Sequence, residues 1–268
     1  MLFLWCLAFI PADDVTYDLN PKFGVEDVWH IKEYQKVEVH SPTLPGGAFS
    51  YTVETNYRES IIHVDDQGVF TVEVTILDSS HNAPSAVPDM YDLGGLVGIP
   101  IHVKMTPRAE ILEVETPENL PETGITAFRT LKQMYLNYGN MALNPDLPVK
   151  AEETWIRDVP MSIEMAGSVV DQIYTLKQQV SGEGDFEGKP VIAINLEGSF
   201  TGTIAQGGIG TVQGEVTGVR YVSPHTAVDC YLELDIHQTN QIATAEGEFA
   251  VEVFVDYSRR ITAETPVR

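Results

Sequence analysis

LPETGITAFRTLKQMYLNYG, from Leu120 to Gly139, is the stretch of sequence that decides the fold of this chain. Its apolar side chains recur at steps of three and four residues, at Ile125, Phe128, Leu131, Tyr135 and Tyr138. This spacing predicts an amphipathic helix, because residues three and four apart lie on one helical face. The face carries no acid, base or thiol, so it predicts packing against a sheet rather than chemistry.

Both ends of this helix are marked in the sequence. Pro121 suits the first helical turn, where the N–H that proline lacks would have no intrahelical partner. Gly139 is a typical stop residue. Gly124 lowers helix propensity by about 1 kcal/mol relative to alanine, which favours a start nearer Ile125. We therefore predict one central helix over about residues 122–139.

The sequence on both sides of the helix alternates with the period of a β-strand. Phe49, Tyr51 and Val53 in the first half, and Leu232 and Leu234 in the second, alternate with polar residues. Long antiparallel strands twist, so a large sheet built from them curls rather than staying flat. The chain is therefore predicted to be mainly β (α+β), with a curved antiparallel sheet or half-barrel of about a dozen strands covered by one helix.

The predicted domain organisation follows from the central helix. Residues 13–268 form a single β-rich domain in two halves, 13–119 and 147–261, joined by the helical segment 121–143. The irregular segment 79–98 is rich in proline and glycine and is predicted to be a loop or flap, because loops of this length are usually functional.

The N-terminus predicts export. Residues 1–10 are almost entirely apolar, and Pro11-Ala12 precedes two aspartates, as at the end of a secretory signal peptide. We predict a signal peptide over residues 1–12 and a location in the periplasm or cell envelope. The first basic residue is Lys22, so either the start codon is assigned late or the leader is atypical. A buried N-terminal strand is the alternative.

Composition bounds the partners. The formal net charge is −23, from 39 acidic and 16 basic residues among 268. Such a chain repels nucleic acid, so no nucleic-acid partner is predicted. The two cysteines, Cys6 and Cys230, indicate neither a disulfide framework nor a metal cluster.

Motifs for catalysis or cofactor binding are weak. The seven histidines show no metal-ligand spacing, and residues 207–210 lack the Lys-Ser/Thr that follows a phosphate-binding loop. Glu183, Asp185 and Glu187 alternate in a glycine-rich stretch but lack the ligand spacing of a calcium loop, which favours a solvated turn. We predict no catalytic residues, metal or cofactor, and leave enzymatic activity open but disfavoured.

The distinctive candidate surface is apolar and aromatic. A half-barrel with this composition has more apolar concave surface than one helix covers, and the remainder would be an apolar pocket. A dry, filled interior with no cavity of about 300 Å³ or more would contradict this hypothesis. A filled core is the alternative. The predicted ligand-binding residues are Phe49, Tyr51, Phe70, Phe128, Leu131, Tyr135, Tyr174 and Phe249.

Three features carry a resemblance to a known family: two short motifs, and the paired strands that fill the C-terminal half. Tyr17-Asp18-Leu19 with Phe23 precedes a strand bearing Trp29, and Leu147-Pro148-Val149-Lys150 is followed by Glu153-Thr154-Trp155. The chain resembles a family of uncharacterised exported bacterial proteins, although Glu152-Glu153 stands where that family has Gly-Asp. The layout is also similar to that of Lol-type periplasmic lipoprotein carriers, and this resemblance implies a half-barrel that holds acyl chains under a helix.

These observations predict an exported, non-enzymatic protein that binds a lipid or other apolar molecule between a curved sheet and its helix. The alternative is a structural or interaction protein of the cell envelope with a filled core, which would bind an envelope protein along a strand edge. A hydrolase built from scattered residues is the third hypothesis.

Overall fold

The computed structural model of the chain describes residues 15–83, 93–108, 110–141, 144–145, 147–165, 168–205, 209–244 and 247–265. The predicted signal peptide and the central part of the predicted flap, residues 84–92, lie outside the described residues. Gly207 and Gly208 of the glycine-rich motif also lie outside them.

Thirteen strands and one α-helix occur in the described part of the chain, with a short 3-10 turn at Gly94–Leu96. The alternation of buried and exposed residues within the strands matches the sequence pattern. The elements are β1 (Thr16–Tyr17), β2 (Val28–His40), β3 (Ala48–Val64), β4 (Phe70–His81), β5 (Pro100–Met105), β6 (Ile111–Val114), α1 (Glu122–Met141), β7 (Val149–Lys150), β8 (Thr154–Met165), β9 (Ser168–Phe186), β10 (Lys189–Ala205), β11 (Ile209–Val222), β12 (Asp229–Thr244) and β13 (Gly247–Thr265).

Eleven of the strands form one antiparallel sheet in the order β6-β5-β4-β3-β2-β13-β12-β11-β10-β9-β8. Each half of the chain is a meander, and the two meanders join where β2 pairs with β13. Of the strands in this sheet, the two that flank α1 in the sequence, β6 and β8, are therefore its edges. A separate two-stranded ribbon pairs β1 with β7.

The helix lies between the two edge strands of the sheet. α1 contacts β6, β8 and the 3-10 turn, and Gln133 Nε2 donates to Ser162 O of β8 at 2.5 Å. Its inner face buries Ala127, Phe128 and Leu131 against the strands of the N-terminal half. The predicted fold class, a curved antiparallel sheet with one covering helix, is confirmed.

The interior divides into several apolar clusters on the concave face. The largest lies under the helix and includes Trp29, Ile61 and Val72. A second, built by β8 to β13, includes Tyr174, Leu176 and Phe200. A third lies where the β1–β7 ribbon packs on the ends of β9, β10 and β11.

Three boundaries differ from the sequence prediction. The helix extends to Met141, and β4 continues through His81 into the predicted flap. The predicted solvated turn at Glu183, Asp185 and Glu187 is longer than the observed one, because β9 continues to Phe186. Only Glu187 and Gly188 form the turn, both at positive φ (55° and 79°), as a two-residue hairpin turn requires.

No helix in the described part of the chain is both long enough and apolar enough to cross a membrane.

Candidate functional site

The concave face under α1 carries charged residues in positions where the strand pattern calls for apolar ones. Glu33 follows buried Ile31 by two residues on β2, so both side chains lie on the inner face. Glu59 likewise lies two residues from each of the buried residues Tyr57 and Ile61 on β3, so its side chain lies on the inner face. Arg259 is placed in the same way on β13, where it lies opposite Glu33 in the strand register.

These charges are joined in one hydrogen-bonded chain. Tyr135 of α1 donates its hydroxyl to Glu59 Oε1 at 2.7 Å, and Arg259 Nη2 donates to Glu59 Oε2 at 3.1 Å. Arg259 Nε donates to the Tyr57 hydroxyl at 3.0 Å. The helix is thereby connected to both halves of the sheet through side chains.

Glu33 ends this chain. Its Oε1 accepts hydroxyl hydrogen bonds from Tyr57 at 2.8 Å and from Tyr257 at 2.7 Å. Burial raises the pKa of the Glu33 carboxyl, and the charge of Arg259 and the two tyrosine hydrogen bonds oppose that rise. Burial also raises the pKa of Tyr57, Tyr135 and Tyr257 well above the usual value, so all three phenols stay protonated hydrogen-bond donors.

A cavity of about 180 Å³ lies between α1 and this part of the sheet. Leu131, Met134 and Tyr135 line it from the helix, while Glu33, Tyr57, Glu59, Tyr257 and Arg259 line it from the strands. Much of the remaining lining is apolar and includes Phe23, Trp29, Ile61, Val72, Ile76 and Met105. The cavity thus combines apolar walls with one polar patch, which is typical of small-molecule sites.

A second polar cluster, formed by Arg220, Asp229 and Asn144, also lines the cavity. Arg220 is 1% exposed and forms an ion pair with Asp229 at 2.9 Å. It also donates to Gln178 Oε1 at 2.8 Å and to Asn144 Oδ1 at 3.1 Å. Asn144 in turn donates to Leu19 O at 2.6 Å. Arg220 therefore connects the segment after the helix to β9, β11, β12 and the N-terminal segment.

The structure brings together half of the predicted ligand-binding residues. Phe70, Phe128, Leu131 and Tyr135 lie in or against the cluster under the helix, and of these Leu131 and Tyr135 line the cavity. The other four lie elsewhere. Tyr174 belongs to the cluster of the C-terminal half, Tyr51 and Phe49 belong to a small cluster with Val37 and Val53, and Phe249 is half-buried near the start of β13.

The sequence prediction missed the polar members of the site. A signal for them was present, because Glu33, Glu59 and Arg259 each lie in phase with buried neighbours on an alternating strand. A charged residue at such a position marks either a local break in the apolar face or a buried polar network. A buried polar network is identified only by the hydrogen bonds between β2, β3 and β13, which the sequence of a single strand does not show.

Neither a metal-binding group of side chains nor a second cysteine occurs among the described residues. Across the described ranges, no group of three or more His, Cys, Asp or Glu side chains is placed to hold a metal ion. Cys230 is buried at the start of β12, with its thiol 3.8 Å from Val228 O. Cys6 lies outside the described residues.

Comparisons with known proteins show low similarity. No family model and no curated protein matches the chain. Among solved structures, a structure of lipid–protein interactions in lipovitellin covers 92% of this chain at 9% identity and a TM-score of 0.45, and the chain spans 26% of that protein. An outer membrane channel from Pseudomonas putida F1 covers 94% of this chain and 99% of its own, at 8% identity and a TM-score of 0.18. TM-scores below 0.5 establish no shared fold, and the predicted resemblance to lipoprotein carriers stays a prediction.

Proposed function

We propose that this protein binds a small molecule with an apolar body in the cavity between α1 and the concave face of the sheet. The observation that carries the proposal is the cavity itself, which is about 180 Å³ in volume and combines apolar walls with a polar patch. Preformed sites for small molecules have this character.

The cavity volume limits the size of the ligand. Pockets for drug-sized ligands start at roughly 300 Å³, which is more than this cavity offers. An engineered apolar cavity of about 150 Å³ accommodates benzene. The proposed ligand is therefore about the size of one substituted ring or a short branched chain, and a complete lipid would place only part of an acyl chain inside.

The compartment is part of the same proposal. The apolar run followed by Pro11-Ala12 supports export, and a location in the periplasm or cell envelope follows from it. N-terminal sequencing of protein recovered from cell fractions tests this, with the mature protein expected to begin at Asp13. Recovery of the intact N-terminus from the cytoplasmic fraction would contradict export.

The binding proposal is tested with benzyl alcohol as a one-ring probe and dodecanol as a lipid-like probe. Benzyl alcohol is expected to bind, to change the fluorescence of Trp29 in the cavity wall, and to raise the melting temperature as its concentration rises above Kd. Native mass spectrometry of the purified protein gives an independent readout through any bound small molecule.

Two matched helix variants locate the binding site. Met134 is half-buried and lines the cavity, so Met134→Trp fills it and is expected to weaken benzyl alcohol binding by about tenfold or more. Ile125 is 40% exposed on the same helix, so Ile125→Trp is expected to leave binding unchanged. Equal binding by both variants, or binding of dodecanol alone, contradicts a ligand in this cavity.

One observation favours a second candidate, an interaction protein of the cell envelope. β8 is an edge strand of 12 residues with one strand neighbour, and Ile156 on it is 64% exposed. An exposed strand edge is a template for pairing with another chain. Failure of every small probe to bind, together with a higher-order species that Ile156→Lys abolishes, would favour this candidate.

A further inference from the structure

The charges around the cavity do not balance. Among the described side chains that line it, three are carboxylates and two are guanidinium groups, which leaves one negative charge in excess. The five are Glu33, Glu59, Asp229, Arg220 and Arg259. No lysine or histidine of the described residues belongs to the lining to offset this excess.

The ion pairs show which carboxylate is in excess. Arg220 pairs with Asp229 at 2.9 Å, and Arg259 pairs with Glu59 at 3.1 Å. Glu33 is left over, since no cationic nitrogen of the described residues lies within 4 Å of it. The charge of Arg259 acts on Glu33 from beyond ion-pair distance, but burial still raises the pKa of the carboxyl and disfavours its ionised form. An ammonium group bound at Glu33 would offset that cost.

The hydrogen bonds of Glu33 leave one oxygen available. The Tyr57 and Tyr257 hydroxyls both donate to Oε1, whereas Oε2 accepts no hydrogen bond from the described residues. Glu33 is half-buried and lines the cavity, so a ligand in the cavity can reach this carboxylate. The two phenols hold the carboxyl in place, which reduces the ordering that binding would require.

Aromatic rings surround the same space. Tyr57, Tyr135 and Tyr257 line the cavity beside Glu33, and Trp29 and Phe23 line it further along. The faces of such rings attract cations, and rings around a carboxylate are a common environment for ammonium groups. The acidic charge of Glu33 and the rings therefore favour the same ligand chemistry.

We propose that the cavity selects amphipathic amines, with the ammonium group bound to Glu33 and the apolar body packed between α1 and the sheet. This inference rests on the proposed function and adds a charge preference to it. An anionic ligand would instead be disfavoured by the excess negative charge of the cavity lining.

Three probes with one ring and different charges test the preference: benzylammonium, benzyl alcohol and benzoate. Dissociation constants are measured for each by isothermal titration calorimetry at pH 7 on the full chain. Because a hydrogen bond to a charged group is stronger than a neutral one, benzylammonium is expected to bind roughly tenfold tighter than benzyl alcohol. Benzoate is expected to bind more weakly than either.

A pair of matched variants assigns the preference to one carboxylate. Glu33→Gln keeps an acceptor for the two phenols but removes the charge, so the preference for benzylammonium is expected to disappear while benzyl alcohol still binds. Glu38→Gln makes the same change on the same strand, at a carboxylate with a 42% exposed side chain that pairs with His40, and is expected to keep the preference. Melting curves of both variants verify that they are folded.

The outcomes separate this inference from the proposed function. Equal affinity for benzylammonium and benzyl alcohol, or a preference that survives in folded Glu33→Gln, overturns the charge preference and leaves the binding function standing. Absence of binding by all three probes overturns both. Tighter binding of benzoate than of benzylammonium also overturns the preference and redirects attention to Arg220 and Arg259.

Discussion

At the scale of single residues, the interior of this protein depends on charges that are paired rather than excluded. Arg220 is almost completely buried, yet its hydrogen bonds go to three side chains from three different segments, those of Asp229, Gln178 and Asn144. Buried ion pairs contribute little net stability compared with apolar residues of the same shape, but breaking one leaves an uncompensated charge. Such residues therefore specify which segments come together.

Replacing Arg220 with alanine tests this role. Arg220→Ala removes the ion pair of the partly buried Asp229 carboxylate and one hydrogen bond each from the side chains of Gln178 and Asn144, so we expect a loss of about 3–5 kcal/mol in the free energy of unfolding. Arg260→Ala is the control, because Arg260 pairs with Glu187 at the surface with 46% of its side chain exposed, and we expect a change below about 1 kcal/mol. Urea denaturation measures both, and equal losses would contradict a structural role for Arg220.

At the scale of the element, the position of α1 is set by a close approach between two glycines. A Cβ on Gly124 would lie 2.9 Å from Gly95 O of the 3-10 turn, and a Cβ on Gly95 would lie 2.5 Å from Thr123 O. Gly124, which helix propensity treats as a weakness, is thus required for the contact that holds the first turn of the helix. The helix begins at Glu122 for this reason, ahead of the start that Gly124 favoured.

The substitution Gly124→Ala distinguishes the effect of helix propensity on stability from the effect of packing against Gly95. Propensity alone predicts a gain of about 1 kcal/mol, whereas a clash with the backbone of the 3-10 turn predicts a loss of about 1–3 kcal/mol. We expect the loss, measured as a lower melting temperature. Thr126→Ala, at an exposed position two residues on, is expected to change stability by less than about 0.7 kcal/mol. A stabilised Gly124→Ala variant would show that the close approach does not form.

At the scale of the whole molecule, one sheet spans both halves of the chain. β2 and β13 pair along their length, from Val28 opposite Thr265 to His40 opposite Glu252. These strands are more than two hundred residues apart in the sequence. Because their pairing makes the two meanders one sheet, neither meander has a complete interior without the other. α1 then joins the far edges of the two meanders, which makes the assembly a curved sheet bridged by a helix.

This continuity predicts one cooperative unfolding transition. Trp29 lies in the N-terminal meander and Trp155 in the C-terminal one, so two variants that keep one tryptophan each report on the two halves. They are Trp5→Phe with Trp155→Phe, and Trp5→Phe with Trp29→Phe. In each variant the fluorescence midpoint in urea is expected to coincide with the midpoint by circular dichroism. Separate midpoints would mean that the halves unfold independently.

How much could be predicted from the sequence depends on how far apart in the chain the interacting residues lie. Alternation located strands such as those bearing Phe49 and Leu232, and the stripe of Phe128 and Leu131 located the helix, because both signals are periodic over a few residues. The glycine-rich composition before Glu187 suggested a longer turn, whereas β9 continues and only Glu187 and Gly188 form the turn. Candidate site residues were taken from apolar and aromatic content alone. Two of them, Leu131 and Tyr135, line the cavity, but the charged residues Glu33 and Arg259 were not selected.

By itself, the sequence determined that this chain forms long antiparallel strands with one apolar helix between two β halves. Local periodicity sets these features, because it decides which face of each element must avoid water. Only the tertiary structure decided that β13 pairs with β2 and that Glu33 meets Tyr257 and lies opposite Arg259. Many pairings of non-adjacent strands satisfy the same alternation, and the physical choice among them depends on long-range register and on the pairing of buried charges.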